Sequence, residues 1–134
     1  PGMWAKPQID IMILVEDLAL VDALIELMKN AGYGFDEDFF IKGMKYFFKE
    51  ESSGQRLVTI QVYQKDDERV SSKLCFREYL LAHPETREFY SQIKKDAYNN
   101  GKNNRVEYAQ NKEKSLLELL EKSKTWCKEN NKII

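Results

Sequence analysis

Residues 1–15, PGMWAKPQIDIMILV, decide the fold: a Gly/Pro elbow carrying Lys6, then an apolar run holding a single carboxylate, Asp10. Ile9, Ile11, Met12, Ile13, Leu14 and Val15 form a near-continuous β-branched and apolar stretch. That pattern predicts a strand over 8–15, interior to a sheet and sheltered on both faces. An acid near the start of such a strand is costly unless it meets a cation, a donor or the mouth of a cleft. The elbow offers backbone N–H groups and Lys6 for holding anionic oxygens. Two roles for Asp10 therefore stand side by side. It is a ligand group at a cleft, or it caps a turn or pairs with Lys6.

Working outward, Glu16 and Asp17 open a predicted helix to about residue 30, with acids in the first turn where the helix dipole favours them. Leu18, Val21, Leu24, Ile25 and Met28 recur at helical spacing as its core stripe, and Gly32 is the expected left-handed cap. Residues 33–40 mix glycine, acids and aromatics, and suit a short strand or a loop. KYFFK (45–49) and RLVTIQVYQ (56–64) flank EESSGQ (50–55), the composition of a hairpin. In the second of these, Leu57, Thr59, Gln61 and Tyr63 share one face, and Val58, Ile60, Val62 and Gln64 the other. The 56–64 strand is expected beside the 8–15 strand.

From Val70 the pattern turns helical to Ala82 and His83. Pro84 stops that helix and starts the next, which runs to about residue 100. A third helix is predicted over roughly 104–128. One βα unit, a hairpin and three helices make a single α/β domain over 1–134, a mixed sheet with a helical C-terminal part.

The 134 residues, 43% of them hydrophobic, are enough for one ordinary core and too few for two. A net charge of −1 removes the electrostatic footprint of a dedicated nucleic-acid binder. The longest apolar run is far below the ~18 residues of a membrane span, and the opening residues have no signal-peptide pattern. A cytoplasmic protein without membrane attachment is expected. The first residue is not an initiator Met, so native residues upstream of Pro1 are expected to be missing. Cys75 and Cys127 are expected as reduced, buried thiols, with a disulfide as the lesser alternative. One His and two separated Cys cannot supply a structural zinc site. Neither zinc nor haem is expected.

His83, beside Pro84, suits a structural capping role. Arg105, Tyr108 and Lys112 lie at i, i+3 and i+7 on one face of the last helix. Two cations and a phenol there could grip an anion, and the same pattern fits a solvated charged face.

With these residues in place, the chain resembles the GrpB family over nearly its whole length. The resemblance rests on PGMWAKPQIDIMILV (1–15), FREYLLAHPETREFY (76–90) and RVEYAQNK (105–112). It implies a nucleotidyltransferase-like topology. Gly2, Lys6, Pro7 and Asp10 match the phosphate-loop and first-carboxylate segment, and Arg77, His83, Arg105, Tyr108 and Lys112 match the helical signatures. By the resemblance, Gly2, Lys6, Gln61, Arg105, Tyr108 and Lys112 would bind a nucleotide or another phosphorylated small molecule. Asp10 would be the catalytic candidate and the ligand of an Mg²⁺ ion.

Two features depart from the family. Its usual His-x-His strand here reads Thr59-Ile60-Gln61, and the second acid of an Asp-x-Asp pair is Met12. Its Gly-Ser-Thr-Ser loop would fall immediately before Pro1. Two-metal phosphoryl chemistry needs several hard oxygen ligands. The expectations are thus a nucleotidyltransferase-like protein with incomplete catalytic ligands or, alternatively, a non-catalytic ligand-binding, regulatory or interaction domain that keeps only the fold. Asp10, Lys6 and Gln61 are expected to face one cavity at the end of the sheet, lined also by the Arg105 stripe.

Overall fold

The computed structural model describes residues 2–37, 42–100 and 105–132, with backbone only for 100 and 105–112. Its elements are β1 (Ile9–Val15), α1 (Ala19–Asp22), α2 (Ile25–Asn30), β2 (Gly34–Phe35), β3 (Met44–Glu50), β4 (Arg56–Gln64), α3 (Glu68–Ala82), α4 (Pro84–Asn100) and α5 (Arg105–Glu129). The fold is mixed α/β. Backbone contacts divide it into a sheet unit, Lys6–Asp67, and a helical unit, Pro1–Ala5 with Glu68–Ile134.

In the sheet unit the strand order is β1-β4-β3-β2. β4 pairs β1 in parallel and β3 in antiparallel fashion. The alternating β4 sequence is thus an interior strand, like β3, and both its faces are covered: Thr59 and Tyr63 on one, Ile60 and Val62 on the other. The apolar β1 lies at the sheet edge among the described residues, contrary to the expectation of an interior place. Ile9 is 63% and Leu14 47% exposed. An apolar run demands cover for its faces, and says nothing of which hydrogen-bonding edge is occupied.

The single helix expected over 16–30 is two. Asp17 accepts the Ala19 N–H at 2.9 Å as a cap. Leu24 N–H then bonds the Val21 carbonyl at 2.9 Å, an i−3 bond that tightens the chain into a turn between α1 and α2. Leu18, Val21, Ile25 and Met28 still pack with Phe47, Ile60 and Val62, while Leu24 is 49% exposed. Gly32 takes φ +86° beyond α2, and Tyr33 N–H reaches back to the Met28 carbonyl at 3.0 Å, the predicted left-handed cap. Of the mixed stretch 33–40, Gly34–Phe35 form the two-residue β2, paired to β3, and 38–40 lie outside the described residues.

In the helical unit α3 and α4 meet at His83, and Pro84 starts α4 as the sequence predicts. The core is Val70, Cys75 and Leu80 of α3, Ser91 of α4, and Leu119, Ser123 and Cys127 of α5. Ser91 accepts the Trp4 N–H at 2.8 Å, and Ser123 donates to the Leu120 carbonyl at 2.7 Å, so both buried hydroxyls are satisfied. Cys75 and Cys127 form a disulfide, with Cα atoms 5.9 Å apart, which corrects the expectation of reduced thiols. Sequence spacing of 52 residues hides this contact, because it arises only where α3 packs along α5.

Candidate functional site

Parallel register sets Asp10 opposite Thr59 and Met12 opposite Gln61. The antiparallel register adds Phe48 opposite Thr59 and Tyr46 opposite Gln61. Because side chains alternate along a strand, these residues and Tyr63 share one face of the sheet, while Phe47, Ile60 and Val62 pack on the other. The chain thus separates an apolar face, closed by α1 and α2, from a face of polar and aromatic side chains.

Asp10 sits on that second face. Its Oδ1 accepts two short bonds, from Gln8 Nε2 at 2.6 Å and Thr59 Oγ1 at 2.6 Å. Thr59 is buried and Asp10 exposed, so the hydroxyl pins one carboxylate oxygen and Oδ2 is left for a ligand. Gln61 Oε1 accepts the Tyr63 hydroxyl at 2.9 Å. That bond orients the amide and leaves its two N–H donors for a ligand oxygen. Lys6 is exposed and makes no ion pair with Asp10 among the described residues, so the pairing of Asp10 with Lys6 is not formed.

Arg56 joins this face, and sequence reasoning passed over it. By strand parity its side chain belongs on the other side. A register shift at Lys49/Glu50, where Glu50 pairs with Arg56, breaks that parity. Its guanidinium lies 4.1 Å from the Phe48 ring centroid and 5.3 Å from that of Tyr46. Arg56 donates to the Tyr46 hydroxyl at 2.7 Å and to Glu50 at 3.1 Å. Desolvation pulls the Arg56 pKa down, but the bonds to Tyr46 and Glu50 and their negative charge outweigh it, and the net shift is upward. The available signal was a cation, Arg56, opening RLVTIQVYQ just across the turn from the aromatic residues of KYFFK.

The donor set here is one carboxylate, a hydroxyl, an amide and a guanidinium. Among the described residues no three His, Cys, Asp or Glu side chains gather into a metal site. An Asp10 with one oxygen already doubly bonded, next to Met12 rather than a second acid, does not fit the several hard oxygens of two-metal Mg²⁺ chemistry.

The other predicted site residues, Gly2, Arg77, His83, Arg105, Tyr108 and Lys112, belong to the helical unit. Gly2 has φ +82° and belongs to the helical unit, whereas Lys6, Asp10 and Gln61 belong to the sheet unit. Arg105, Tyr108 and Lys112 lie on α5, and their side chains are outside the described residues. Arg77 bonds Glu78 at 2.7 Å. His83 has its Nδ1 2.8 Å from the Tyr79 carbonyl, so Nδ1–H donates there and closes the end of α3. Its ring stacks at 4.1 Å on Tyr79 and meets Trp126 edge-on at 5.5 Å. The capping role expected of His83 is therefore a hydrogen bond plus aromatic packing.

Residues 1–122 match the family model described as GrpB protein. The chain is similar to UPF0157 protein YqkA of Bacillus subtilis, 30% identical over 98% of this chain and 38% of that protein. It is also similar to Glutamate-rich protein GrpB of Alkalihalophilus pseudofirmus, 32% identical over 89% of this chain and 70% of that protein. The chain thus spans well under half the length of the Bacillus relative. A solved structure, conserved protein GrpB from Enterococcus faecalis, superposes with a TM-score of 0.74 at 26% identity, covering 91% of this chain and 73% of that one.

Proposed function

The chain belongs to the GrpB family, and on that premise we propose that its polar sheet face binds a nucleotide or another phosphorylated small molecule without transferring any part of it. The nucleotidyltransferase-like relation is part of the same proposal. One observation carries it: Asp10 is present and ordered by Thr59, but residue 12 on the same strand face is Met rather than a second acid. Asp10 Oδ2 would accept a ligand hydroxyl or N–H, and the Gln61 amide would donate to a ligand oxygen. Arg56 would supply the fixed positive charge that a phosphate group seeks. Transfer would demand more. Developing charge on a phosphoryl group is stabilised by preorganised metal ions and donors, and neither Thr59 nor Gln61 replaces a charged ligand.

The test is nucleotide turnover with Mg²⁺ or Mn²⁺, together with calorimetric binding, on this chain and on Asp10→Asn. Binding that weakens in the variant, without turnover in either, supports the proposal. Turnover that vanishes in Asp10→Asn would refute the non-catalytic part and make Asp10 a metal ligand. The exposed apolar β1 favours a second reading, an interaction domain. Calorimetric silence toward every phosphorylated ligand would favour that alternative.

A further inference from the structure

In the helical unit, a pocket of about 400 Å³ opens on the disulfide. Its walls are Glu68, Ser71, Ser72 and Cys75 of α3, with Lys124, Cys127 and Lys128 of α5. Lys124 pairs with Glu121 at 2.8 Å, and the charge of Lys128 also acts on that carboxylate. Two ammonium groups and one carboxylate thus surround a sulfur–sulfur bond at the side of a pocket large enough for a small molecule. The charge pattern complements a molecule carrying carboxylates and one ammonium.

We propose that this pocket is a thiol–disulfide exchange site for an amino-acid-type thiol of low molecular mass. Carboxylates of the thiol would lie against Lys124 and Lys128, and its ammonium against Glu68. Cys75 is the more exposed residue of the two, 7% against 2% for Cys127, and its Sγ is the one attacked. The incoming thiolate forms a bond to Cys75 Sγ as the Sγ–Sγ bond breaks, and the electron pair leaves on Cys127 as a thiolate. Lys124 and Lys128, on the same helix as Cys127, favour that anion. A second thiolate attacks the outer sulfur of the mixed disulfide and releases Cys75. Two small thiols become one disulfide, the protein pair becomes two thiols, and the protons lost by the former are gained by the latter. The small disulfide drives the reverse reaction. Exchange would remove the covalent tie between α3 and α5 without breaking any backbone hydrogen bond.

Glutathione, with two carboxylates and an ammonium, is the probe, and 2-mercaptoethanol, with neither, is the control. The oxidised full chain is treated with each, without denaturant, and the free thiols are alkylated and counted by mass spectrometry. At equal thiolate concentration glutathione should react about fivefold faster, an advantage of the size surface charge pairs supply. High salt and Lys128→Gln should both shrink it. In Cys127→Ser, Cys75 should take up a glutathionyl group from oxidised glutathione faster than Cys127 does in Cys75→Ser. A disulfide that reacts only after unfolding, or equal rates for both thiols at low salt, overturns the proposal. The wild-type comparison stands by itself if either cysteine variant fails to fold.

Discussion

Reduction of Cys75–Cys127 should destabilise the protein by an amount that the chain path sets. The bond closes a segment of 52 residues that includes all of α4. In the loop-closure picture, releasing it returns entropy to the unfolded chain of about 2.1 + 1.5R ln 52, or about 14 cal/mol/K, which is about 4 kcal/mol at 25 °C. Native-state strain and residual structure in the unfolded chain make this an upper estimate. With an unfolding entropy of about 2.1 cal/mol/K per residue, 134 residues give about 0.28 kcal/mol/K, so the midpoint should fall by about 15 °C. If the helical unit melts alone the fall is larger, because fewer residues share the entropy. Differential scanning calorimetry with and without dithiothreitol reads it. The double variant Cys75→Ala/Cys127→Ala serves as reference, where dithiothreitol must change nothing. A shift below about 3 °C in the wild-type chain would show that the closed loop does not limit the unfolded state as this reasoning requires.

Gly34→Ala should lose about 1–3 kcal/mol, since the added Cβ overlaps the Phe48 ring across the β2–β3 pair, and the urea midpoint reads the loss. Arg56→Ala should cost about 1–2 kcal/mol by removing the stack on Phe48 and the bond to Tyr46, and Arg56→Lys should recover only part, because an ammonium cannot stack as a plane. Burial raises the Tyr90 pKa, so the folded chain keeps a proton that the unfolded chain loses. That contribution is complete below the ordinary tyrosine pKa and is lost as pH climbs through the higher folded value. Urea midpoints should therefore fall as pH climbs past the ordinary tyrosine value of about 10, less steeply in Tyr90→Phe.

The sequence by itself determined the kinds of the elements and, apart from the break between α1 and α2, their order. Alternation in RLVTIQVYQ, the apolar run after Asp10, the turn composition of EESSGQ and the proline after His83 are local statements, and local backbone physics honours them. It also marked Asp10, Thr59 and Gln61, and the register sets Asp10 directly against Thr59. Only the tertiary structure decided which of β1 and β4 takes the interior. β4 does, although half its residues are polar, because Tyr46, Phe48 and Tyr63 accompany its polar face and Asp10 accepts the Thr59 hydroxyl. β1 keeps the edge despite its apolar run, since burial of faces and occupancy of edges are separate matters that one periodicity cannot encode. Arg56 escaped detection for a related reason: a register shift is invisible to a period of two. The cysteines escaped because their meeting depends on two positions 52 residues apart along the chain coming into contact, and no pattern within either helix carries that distance.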